Sequence, residues 1–370
     1  MAIIGGGIGG LSAAVALRQR GVRVGVYEQA PALGEIGAGL MVQANSLRVL
    51  TRLGVVDRVA QAGERMTEWR HSHADGTVIS RETFSTGPEN MFFGMHRADL
   101  LDALVATLPE DVVHTGYQCV GFEEDAGRAV VRFDNGVSVD ADVVIAADGI
   151  HSTLQRYVVQ RSELVFSGIT TYRGSLPARR VPEWPAGTIR FWSGQGRYLL
   201  AYRIRRGELL NFVGFMPADE EMRKSWSAPG DSATLAAAYA DWDPLVRKIV
   251  SEVETTFRWG LYDREPLPRW SRGRLTLLGD AAHPSLPHMG QGSNQAIEDA
   301  MGLATLLKDA SAEDAPRALV SYERLRHDRT AQVQRTSRMN ASYSENAEAF
   351  TLGPDWVYHY DVEREALALC

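Results

Sequence analysis

The sequence predicts an α/β fold in which a βαβ domain is interrupted by a mixed β-sheet and completed by C-terminal helices. Three observations predict this arrangement. The chain begins with a short apolar strand, a glycine-rich turn and a helical segment, all within residues 2–20. From about Val165 to Trp259 it consists of short β-type runs rich in aromatic residues, which indicate a second sheet rather than more βαβ units. Buried-strand character then returns at residues 275–278, and two helical segments follow.

Composition and charge exclude several classes of protein. Apolar residues make up 45% of the chain and charged residues 23%, a globular balance that supplies enough material for a core. The net charge of −7 argues against general nucleic-acid binding, which depends on neutralising phosphates with lysine and arginine. The two cysteines, Cys119 and Cys370, form neither a disulfide framework nor a zinc-ligand spacing. No stretch approaches the roughly 18 apolar residues of a membrane span.

The N-terminal stretch also bears on location. It is apolar from residue 2, but it lacks a basic leader and its apolar run breaks at Gly5, whereas the core of a signal peptide continues further. We therefore expect a cytoplasmic protein.

The first element is a G-x-G-x-x-G turn between Gly5 and Gly10. A strand at Ile3–Ile4 precedes the turn, a helix at Leu11–Arg20 follows it, and a second strand ends at Glu28, 18 residues after Gly10. This full context is typical of dinucleotide binding, because the glycines let backbone N–H groups approach the pyrophosphate at the helix start. The acid would accept hydrogen bonds from a ribose 2′-hydroxyl and repel a 2′-phosphate. A capped turn without a ligand accounts poorly for this spacing.

The next elements continue the α/β pattern. Two hairpins are indicated by Asp75-Gly76 and Asn135-Gly136, each between strand-like runs. The predicted hairpin strands are Thr67–His73 with Thr77–Thr83, and Gly121–Phe133 with Val137–Asp140; the predicted helices are Asn45–Leu53, Asp99–Leu108, Ser293–Leu307 and Pro316–Met339; and the further buried strands are Val143–Ala146 and Leu275–Leu278.

A second glycine-bearing stretch lies far from the first. Leu277-Leu278-Gly279-Asp280 places a carboxylate after an apolar strand, and Gly290-Gln291-Gly292 opens another helix. Together the two stretches resemble the FAD-dependent aromatic hydroxylases, the single-component flavoprotein monooxygenases. The resemblance implies that Asp280 binds the ribityl hydroxyls of FAD. It also implies that the peptides of Gly290 and Gly292 face the flavin pyrimidine, where a helix dipole stabilises the negative charge of the reduced ring.

Two further matches to the family carry cofactor roles. His96-Arg97-Ala98-Asp99-Leu100 resembles the family's R-x-x-L helix start, which implies that Arg97 reaches the phosphate or ribityl region. Asp148-Gly149-Ile150-His151-Ser152 resembles the D-G-x-x-S-x-x-R stretch near the pyrophosphate, but Gln155 stands where arginine is expected and Arg156 follows. An Asp-Gly turn capped by Ser152 explains this stretch equally well. The expected cofactor contacts are Gly5, Gly7, Ile8, Gly9, Gly10, Glu28, Gln29, Met41, Arg97, Cys119, Asp148, Asp280, Pro287, Gly290, Gly292, Ser293 and Asn294.

The family resemblance implies a mechanism and a division into domains. The chain has one dinucleotide fingerprint, so NAD(P)H would reduce the flavin transiently and leave; oxygen would then add at flavin C4a, and the hydroperoxide would attack an electron-rich ring. No metal is expected, and His71-x-His73 is interpreted as one face of an exposed hairpin strand. We assign residues 1–70, 96–164 and 271–370 to the FAD-binding domain, and 71–95 and 165–270 to the substrate-binding sheet.

Within the family, the similarity is closest to the salicylate, 3-hydroxybenzoate and 6-hydroxynicotinate hydroxylases. It rests on Tyr262–Pro266, Pro284–Met289 and Trp356–Asp361. These relatives carry an active-site histidine and, four residues later, a tyrosine. Tyr202 matches the tyrosine here, but Tyr198 stands at the histidine position. This exchanges a group with a pKa of about 6.5 for a phenol with a pKa of about 10.

The catalytic residues and the substrate class follow from this comparison. Either Tyr198 and Tyr202 hydrogen-bond a different substrate, or His288 supplies the base. Arg173 would meet a carboxylate or line the pocket, and a solvated strand arginine is an equal alternative. We expect a monomer or homodimer that hydroxylates a hydroxy-aromatic or heteroaromatic carboxylic acid with O₂. The alternatives are the same chemistry on a non-acidic ring, such as a quinolone, urate or a polyketide phenol, and a flavin-binding sensor without oxygenase activity. The arginine-rich helix at 316–339 is interpreted as having a solvated basic face.

Overall fold

The computed structural model describes residues 1–34, 39–84, 91–125, 127–160, 163–220, 227–342 and 354–370. Its strands are β1 Ala2–Ile4, β2 Gly25–Glu28, β3 Gly39–Val42, β4 Glu64–Met66, β5 Glu68–His73, β6 Val78–Thr83, β7 Phe92–His96, β8 Val113–Thr115, β9 Cys119–Glu124, β10 Ala129–Phe133, β11 Ser138–Ala141, β12 Val144–Ala146, β13 Val165–Pro177, β14 Thr188–Gly194, β15 Arg197–Ile204, β16 Leu209–Pro217, β17 Ser227–Gly230, β18 Thr256–Asp263, β19 Ser271–Arg272 and β20 Leu275–Leu277. Its helices are α1 Ile8–Gln19, α2 Ala44–Arg52, α3 Val56–Ala62, α4 Arg97–Val105, α5 Ser232–Ala238, α6 Pro244–Ser251, α7 Gly292–Leu307, α8 Ala315–Ser342, α9 Asp355–Tyr358 and α10 Val362–Leu367. The α/β fold class predicted from the sequence is confirmed, and each predicted helix agrees with the observed one to within three residues at either end.

The first sheet joins the two ends of the chain. Its strand order is β19-β20-β12-β1-β2-β8, and every pairing except β19 with β20 is parallel. β1, β12 and β20 are short, wholly buried apolar strands, as expected for a parallel sheet covered on both faces. Because β20 pairs directly with β12, residues from beyond position 270 complete a sheet that begins at residue 2.

The second sheet has two apolar faces. Its strand order is β17-β18-β13-β16-β15-β14-β5-β6, antiparallel except between β14 and β5. One face packs against α5 and α6 around Phe212 and Tyr239. The other face carries Tyr198 and Phe215 and packs against Met41 of β3 and Met289. We call this second surface the inner face of the sheet, since it is turned towards the parallel-sheet part of the molecule.

Two sequence-based predictions about strands are wrong. The run 121–133 is two strands, β9 and β10, because the Asp125 side chain accepts hydrogen bonds from the backbone N–H groups of Gly127 and Arg128, at 2.8 and 2.9 Å, and turns the chain. His71 is not on an exposed hairpin strand, because β5 lies between β14 and β6 and His71 is only 2% exposed. Its ring hydrogen-bonds the Ser193 hydroxyl at 2.8 Å, and burial lowers its pKa to about 4. His71 is therefore a neutral core residue at neutral pH.

No helix within these ranges is both long enough and apolar enough to cross a membrane.

Candidate functional site

A cavity of about 290 Å³ opens where β1, β2 and β12 end. The carboxyl ends of parallel strands are the usual place for a ligand in such a sheet. Twelve of the residues predicted to contact a cofactor line it, and they come from both ends of the chain: Gly5, Gly7, Ile8, Gly9, Glu28, Gln29, Arg97, Cys119, Asp148, Asp280, Gly292 and Ser293.

The glycines of the first turn have different physical roles. Gly5 has φ +109°, and a Cβ there would lie 2.3 Å from the carbonyl oxygen of Ala147. A Cβ at Gly10 would lie 2.1 Å from the carbonyl oxygen of Gly5, so Gly10 permits the helix to pack on the turn but does not line the cavity. A Cβ at Gly7 would meet nothing within 4 Å and would project into free space. Gly5 and Gly10 therefore serve the fold, while Gly7 leaves room beside the cavity.

Glu28 is held in place at the cavity wall. One carboxylate oxygen accepts the backbone N–H of Gly6 at 2.6 Å, and the other accepts that of Ala30 at 2.9 Å. A carboxylate has about four lone-pair sites, so further acceptor capacity remains for a ligand hydroxyl.

Asp280 and Arg97 put opposite charges on the cavity wall. Asp280 lies in a short 3₁₀ turn at Gly279–Ala281 and is exposed. Arg97 is the first residue of α4, and burial lowers the pKa of its guanidinium while the nearby Asp280 carboxylate opposes that effect. The pair offers a cation for a phosphate and an acceptor for hydroxyl groups.

The Asp148 stretch supports both sequence-based explanations. The Asp148 carboxylate accepts the backbone N–H of Thr153 at 2.8 Å, and the Ser152 hydroxyl accepts that of Gln155 at 3.0 Å, which is the geometry of a capped turn. Asp148 also lines the cavity, its second oxygen has no hydrogen-bond partner, and burial raises its pKa. Arg156 points away and donates to the carbonyl oxygen of Val120 at 3.2 Å, so it does not replace the missing family arginine.

A buried ionic network lies behind the Asp280 turn. Asp299, on α7, accepts the backbone N–H of Gly279 at 3.0 Å and contacts His283 Nε2 at 2.6 Å. Its other oxygen accepts Arg326 Nε of α8 at 2.8 Å. Arg326 is fully buried and also pairs with Glu298 at 2.6 Å. The prediction of a solvated basic face on α8 is therefore wrong at Arg326, because its charge is neutralised by two buried carboxylates.

A second, smaller cavity of about 30 Å³ lies on the inner face of the sheet. The two cavities come close to each other at the start of α7, where Gly290 lines the second cavity and Gly292 lines the first. The lining residues are Met41, Trp69, Phe191, Tyr198, Leu200, Phe215, Pro287, His288, Met289 and Gly290.

His288 is the polar group that this cavity leaves without a partner. It is 6% exposed, and neither ring nitrogen has a hydrogen-bond partner among the residues that the structure describes. Burial lowers its pKa to about 3, so the imidazole is neutral at pH 7. Its ring lies edge-on to Tyr198, with the ring centroids 5.9 Å apart. The Tyr198 hydroxyl already donates to the carbonyl oxygen of Ala341 at 2.8 Å, so its proton is not available to a ligand in this arrangement.

Three predicted site residues line neither cavity. Tyr202 shares the inner face with Tyr198, as their spacing predicted, but it is buried beyond Leu200, and burial raises its pKa. Asn294 donates to the carbonyl oxygens of Met41 and Gly290, at 3.0 and 2.6 Å, and so joins β3 to the start of α7. Gly10 is the third, for the packing reason given above.

Several lining residues were missed by the sequence interpretation. Tyr27 and Gly279 stand directly before predicted contacts, so their position was a usable signal. Tyr117, Trp69 and Phe191 gave no signal, because only the pairing of distant strands brings them to the cavities.

Comparison with known proteins gives consistent results. A family model described as "FAD binding domain" matches residues 1–337. The 3-amino-4-hydroxybenzoate 2-monooxygenase of Streptomyces cremeus is 39% identical, over 91% of this chain and 86% of its own length. The 6-hydroxynicotinate 3-monooxygenase of Pseudomonas fluorescens is 33% identical, over 98% of this chain and 95% of its own. The crystal structure of Klebsiella pneumoniae HpxO with FAD and uric acid superposes with a TM-score of 0.83 at 28% identity, covering 100% of this chain and 95% of that one.

Proposed function

This chain belongs to the FAD-dependent aromatic hydroxylases, and we propose that it hydroxylates a hydroxy-aromatic or heteroaromatic carboxylic acid with NAD(P)H and O₂. One observation carries the proposal: at the start of α7, a glycine-lined cavity of the dinucleotide-binding type adjoins an apolar pocket with a buried histidine that has no hydrogen-bond partner among the described residues. The two relatives that are 39% and 33% identical are named for a hydroxybenzoate and a hydroxynicotinate as substrates.

The residues of the larger cavity fit FAD. Gly7 leaves open space at a helix start, Glu28 has acceptor capacity for a ribose hydroxyl, and Asp280 is exposed for the ribityl hydroxyls. Asp148 also lines this cavity. Arg97 would neutralise a phosphate. When bound, FAD supplies the redox and oxygen chemistry of the reaction.

The protein's own contribution is to place the ring and to exclude water. The second cavity is walled by Trp69, Phe191 and Phe215, which leave little room for solvent. The N-terminal end of α7, at Gly290 to Gly292, would present backbone N–H groups to the flavin and stabilise negative charge there.

We assign the substrate hydroxyl to His288. A neutral imidazole has one acceptor nitrogen, which would accept a hydrogen bond from the substrate hydroxyl and so orient the ring. A buried nitrogen without a partner is unfavourable, so a ligand hydroxyl would remove that penalty. Tyr202 lines neither cavity and would act on the ring only through the residues between them. Tyr198 would be a packing wall, because its proton is donated to Ala341.

A second candidate is the same chemistry on a ring without a carboxylate. It is favoured by one observation, which is that no lysine or arginine lines the second cavity within the described part of the chain.

Two measurements test the proposal. Heat-released cofactor should be FAD by chromatography, and recovery of FMN or of no flavin after reconstitution would remove the basis of the assignment. NADH and NADPH oxidation should then be followed with a panel of hydroxybenzoates and hydroxynicotinates, with product mass. If no acid accelerates oxidation or gains one oxygen atom while a neutral phenol does, the second candidate replaces the first.

A further inference from the structure

A substrate carboxylate would find no positive charge on the wall of the second cavity. Apart from Tyr198 and His288 its lining is apolar or backbone, and with a pKa of about 3 His288 is uncharged at neutral pH. An ionised carboxylate buried without a partner costs several kcal/mol or more. An acidic substrate therefore has to extend to a cation outside the immediate lining.

The strand pairing places the side chain of one arginine within reach of a substrate carboxylate. Leu200, which lines the cavity, and Arg173 both lie opposite Val213, on the two strands that flank β16. Directly opposed residues share a face, so the side chain of Arg173 is on the inner face with Leu200. Adjacent strands are about 4.8 Å apart, which separates the two Cα atoms by roughly 10 Å. A long arginine side chain and an aromatic acid together span that distance.

The other arginines on the described strands of this sheet fall on the opposite face. Ala201 and Tyr172 lie on the outer face of the sheet, which packs against α5 and α6, and they are opposite Arg190 and Arg258. The alternation of side chains along each strand and the cross-strand pairs place the remaining arginines on that same face. The arginines on the outer face are Arg70, Arg81, Arg190, Arg197, Arg203 and Arg258.

The described surroundings of Arg173 supply no counter-ion for its charge. Its guanidinium donates through Nη2 to the carbonyl oxygen of Gly39 at 3.2 Å, and its Nε is buried without a hydrogen-bond partner. No carboxylate among the residues that the structure describes forms an ion pair with it, and burial lowers its pKa. Asn211 accepts the N–H of the same Gly39 at 2.8 Å, so both backbone polar groups of Gly39 are bound by side chains of the sheet. One hydrogen bond thus joins the guanidinium to Gly39 of β3.

We propose that Arg173 recognises the carboxylate of the substrate and so selects acidic rings over neutral ones. This inference rests on the proposed hydroxylase function. The ring would lie beside His288, and the carboxylate would point across β16 towards the free Nε edge of the guanidinium, which suits planar anions. The lack of a cation in the cavity lining then no longer favours a neutral substrate.

The test compares each acid with its amide, which keeps the ring and removes the charge. The probes are 6-hydroxynicotinate with 6-hydroxynicotinamide, and 3-amino-4-hydroxybenzoate with its amide. Binding is measured by the perturbation of flavin absorbance in the FAD-loaded enzyme, and kcat/KM is measured for whichever probes are turned over. Arg173→Gln should weaken binding of the acid roughly 10- to 100-fold, the scale of a lost hydrogen bond to a charged group, and change amide binding by less than about threefold.

Two further variants keep the result interpretable. Arg190→Gln removes an arginine from the outer face of the same sheet, where it lies over Trp192 at 5.0 Å, and should leave the preference for acids unchanged. Arg173→Lys keeps the charge and should restore part of the preference. FAD content and thermal unfolding of each variant show whether it is folded.

The outcomes separate this inference from the proposed function. An Arg173→Gln enzyme that still prefers the acid, or one that loses acid and amide equally, overturns the role of Arg173 and leaves the hydroxylase function standing. A wild-type enzyme that binds the amides in preference to the acids overturns the proposed substrate class, and the role of Arg173 with it.

Discussion

Replacing Asp299 with asparagine removes one negative charge from beneath the turn that carries Asp280 while preserving the shape of the side chain. Asp299 is fully buried and accepts hydrogen bonds from Gly279 N and Arg326 Nε, at 3.0 and 2.8 Å, and contacts His283 Nε2 at 2.6 Å. An asparagine offers one acceptor oxygen and turns an NH₂ group towards the remaining donors. We expect Asp299→Asn to lower both the free energy of unfolding and the affinity for FAD.

The magnitude for stability follows from the pKa. Burial alone would raise the pKa of Asp299, but the neighbouring His283 and Arg326 lower it from 3.8 to about 2. A lowered pKa in the folded state contributes stability that is present above about pH 4 and is lost as the pH falls towards 2. At 1.36 kcal/mol per unit this is roughly 2–3 kcal/mol at neutral pH. The affinity for FAD should fall by about 1 kcal/mol, roughly fivefold, because one hydrogen bond that orients the Gly279 turn is weakened.

The assay is urea unfolding of both proteins between pH 2.5 and pH 7, with FAD binding titrated separately by flavin fluorescence. Glu323→Gln is the control, since Glu323 accepts the backbone N–H groups of Trp270 and Ser271, both at 2.8 Å, away from the cofactor turn. It should reduce stability without changing FAD affinity. A stability difference between wild type and Asp299→Asn that is the same at every pH would refute the electrostatic reasoning, and unchanged FAD affinity would refute the positioning role.

Three further predictions concern the two cavities. Asp280→Ala should weaken FAD binding by about 1–3 kcal/mol in the same titration, and an unchanged dissociation constant would make Asp280 structural. His288→Ala and Tyr202→Phe should retain FAD but form product roughly 10²-fold more slowly, with NADH oxidation diverted to peroxide, which the ratio of product to NADH measures; full coupling in both would place the base elsewhere. Gly10→Ala should prevent stable folding, seen by circular dichroism, whereas Gly7→Ala should fold and bind FAD weakly; a well-folded Gly10→Ala contradicts the 2.1 Å clash.

The glycine-lined cavity was predictable because its signals are local. The spacing from Gly5 to Glu28 encodes a strand, a tight turn and a helix within one short segment, and backbone geometry restricts which residues can occupy the turn. Gly279-Asp280 is equally local. Twelve of the predicted contacts consequently line one cavity, although they come from opposite ends of the chain.

The burial of a side chain could be predicted only where the hydrophobic pattern of the sequence indicates it. His71 and Arg326 look like solvated polar residues in the sequence, and both are buried. The partners that make this burial tolerable, Ser193 for the histidine and Glu298 with Asp299 for the arginine, lie on other elements of the fold. A polar side chain becomes stable inside a protein only when such partners are supplied.

The sequence by itself therefore determined the α/β class, the glycine-rich turn between β1 and α1 and the family, since each depends on residues that are close together in the chain. The tertiary structure alone decided the substrate side of the site. Tyr198 and Arg173 are 25 positions apart, and only the antiparallel register through β16 puts them on one face. There the Tyr198 proton is donated to Ala341, and no described carboxylate pairs with Arg173. Register between distant strands is fixed by burying one complete face of each strand against its neighbours, and no single segment of sequence contains that information.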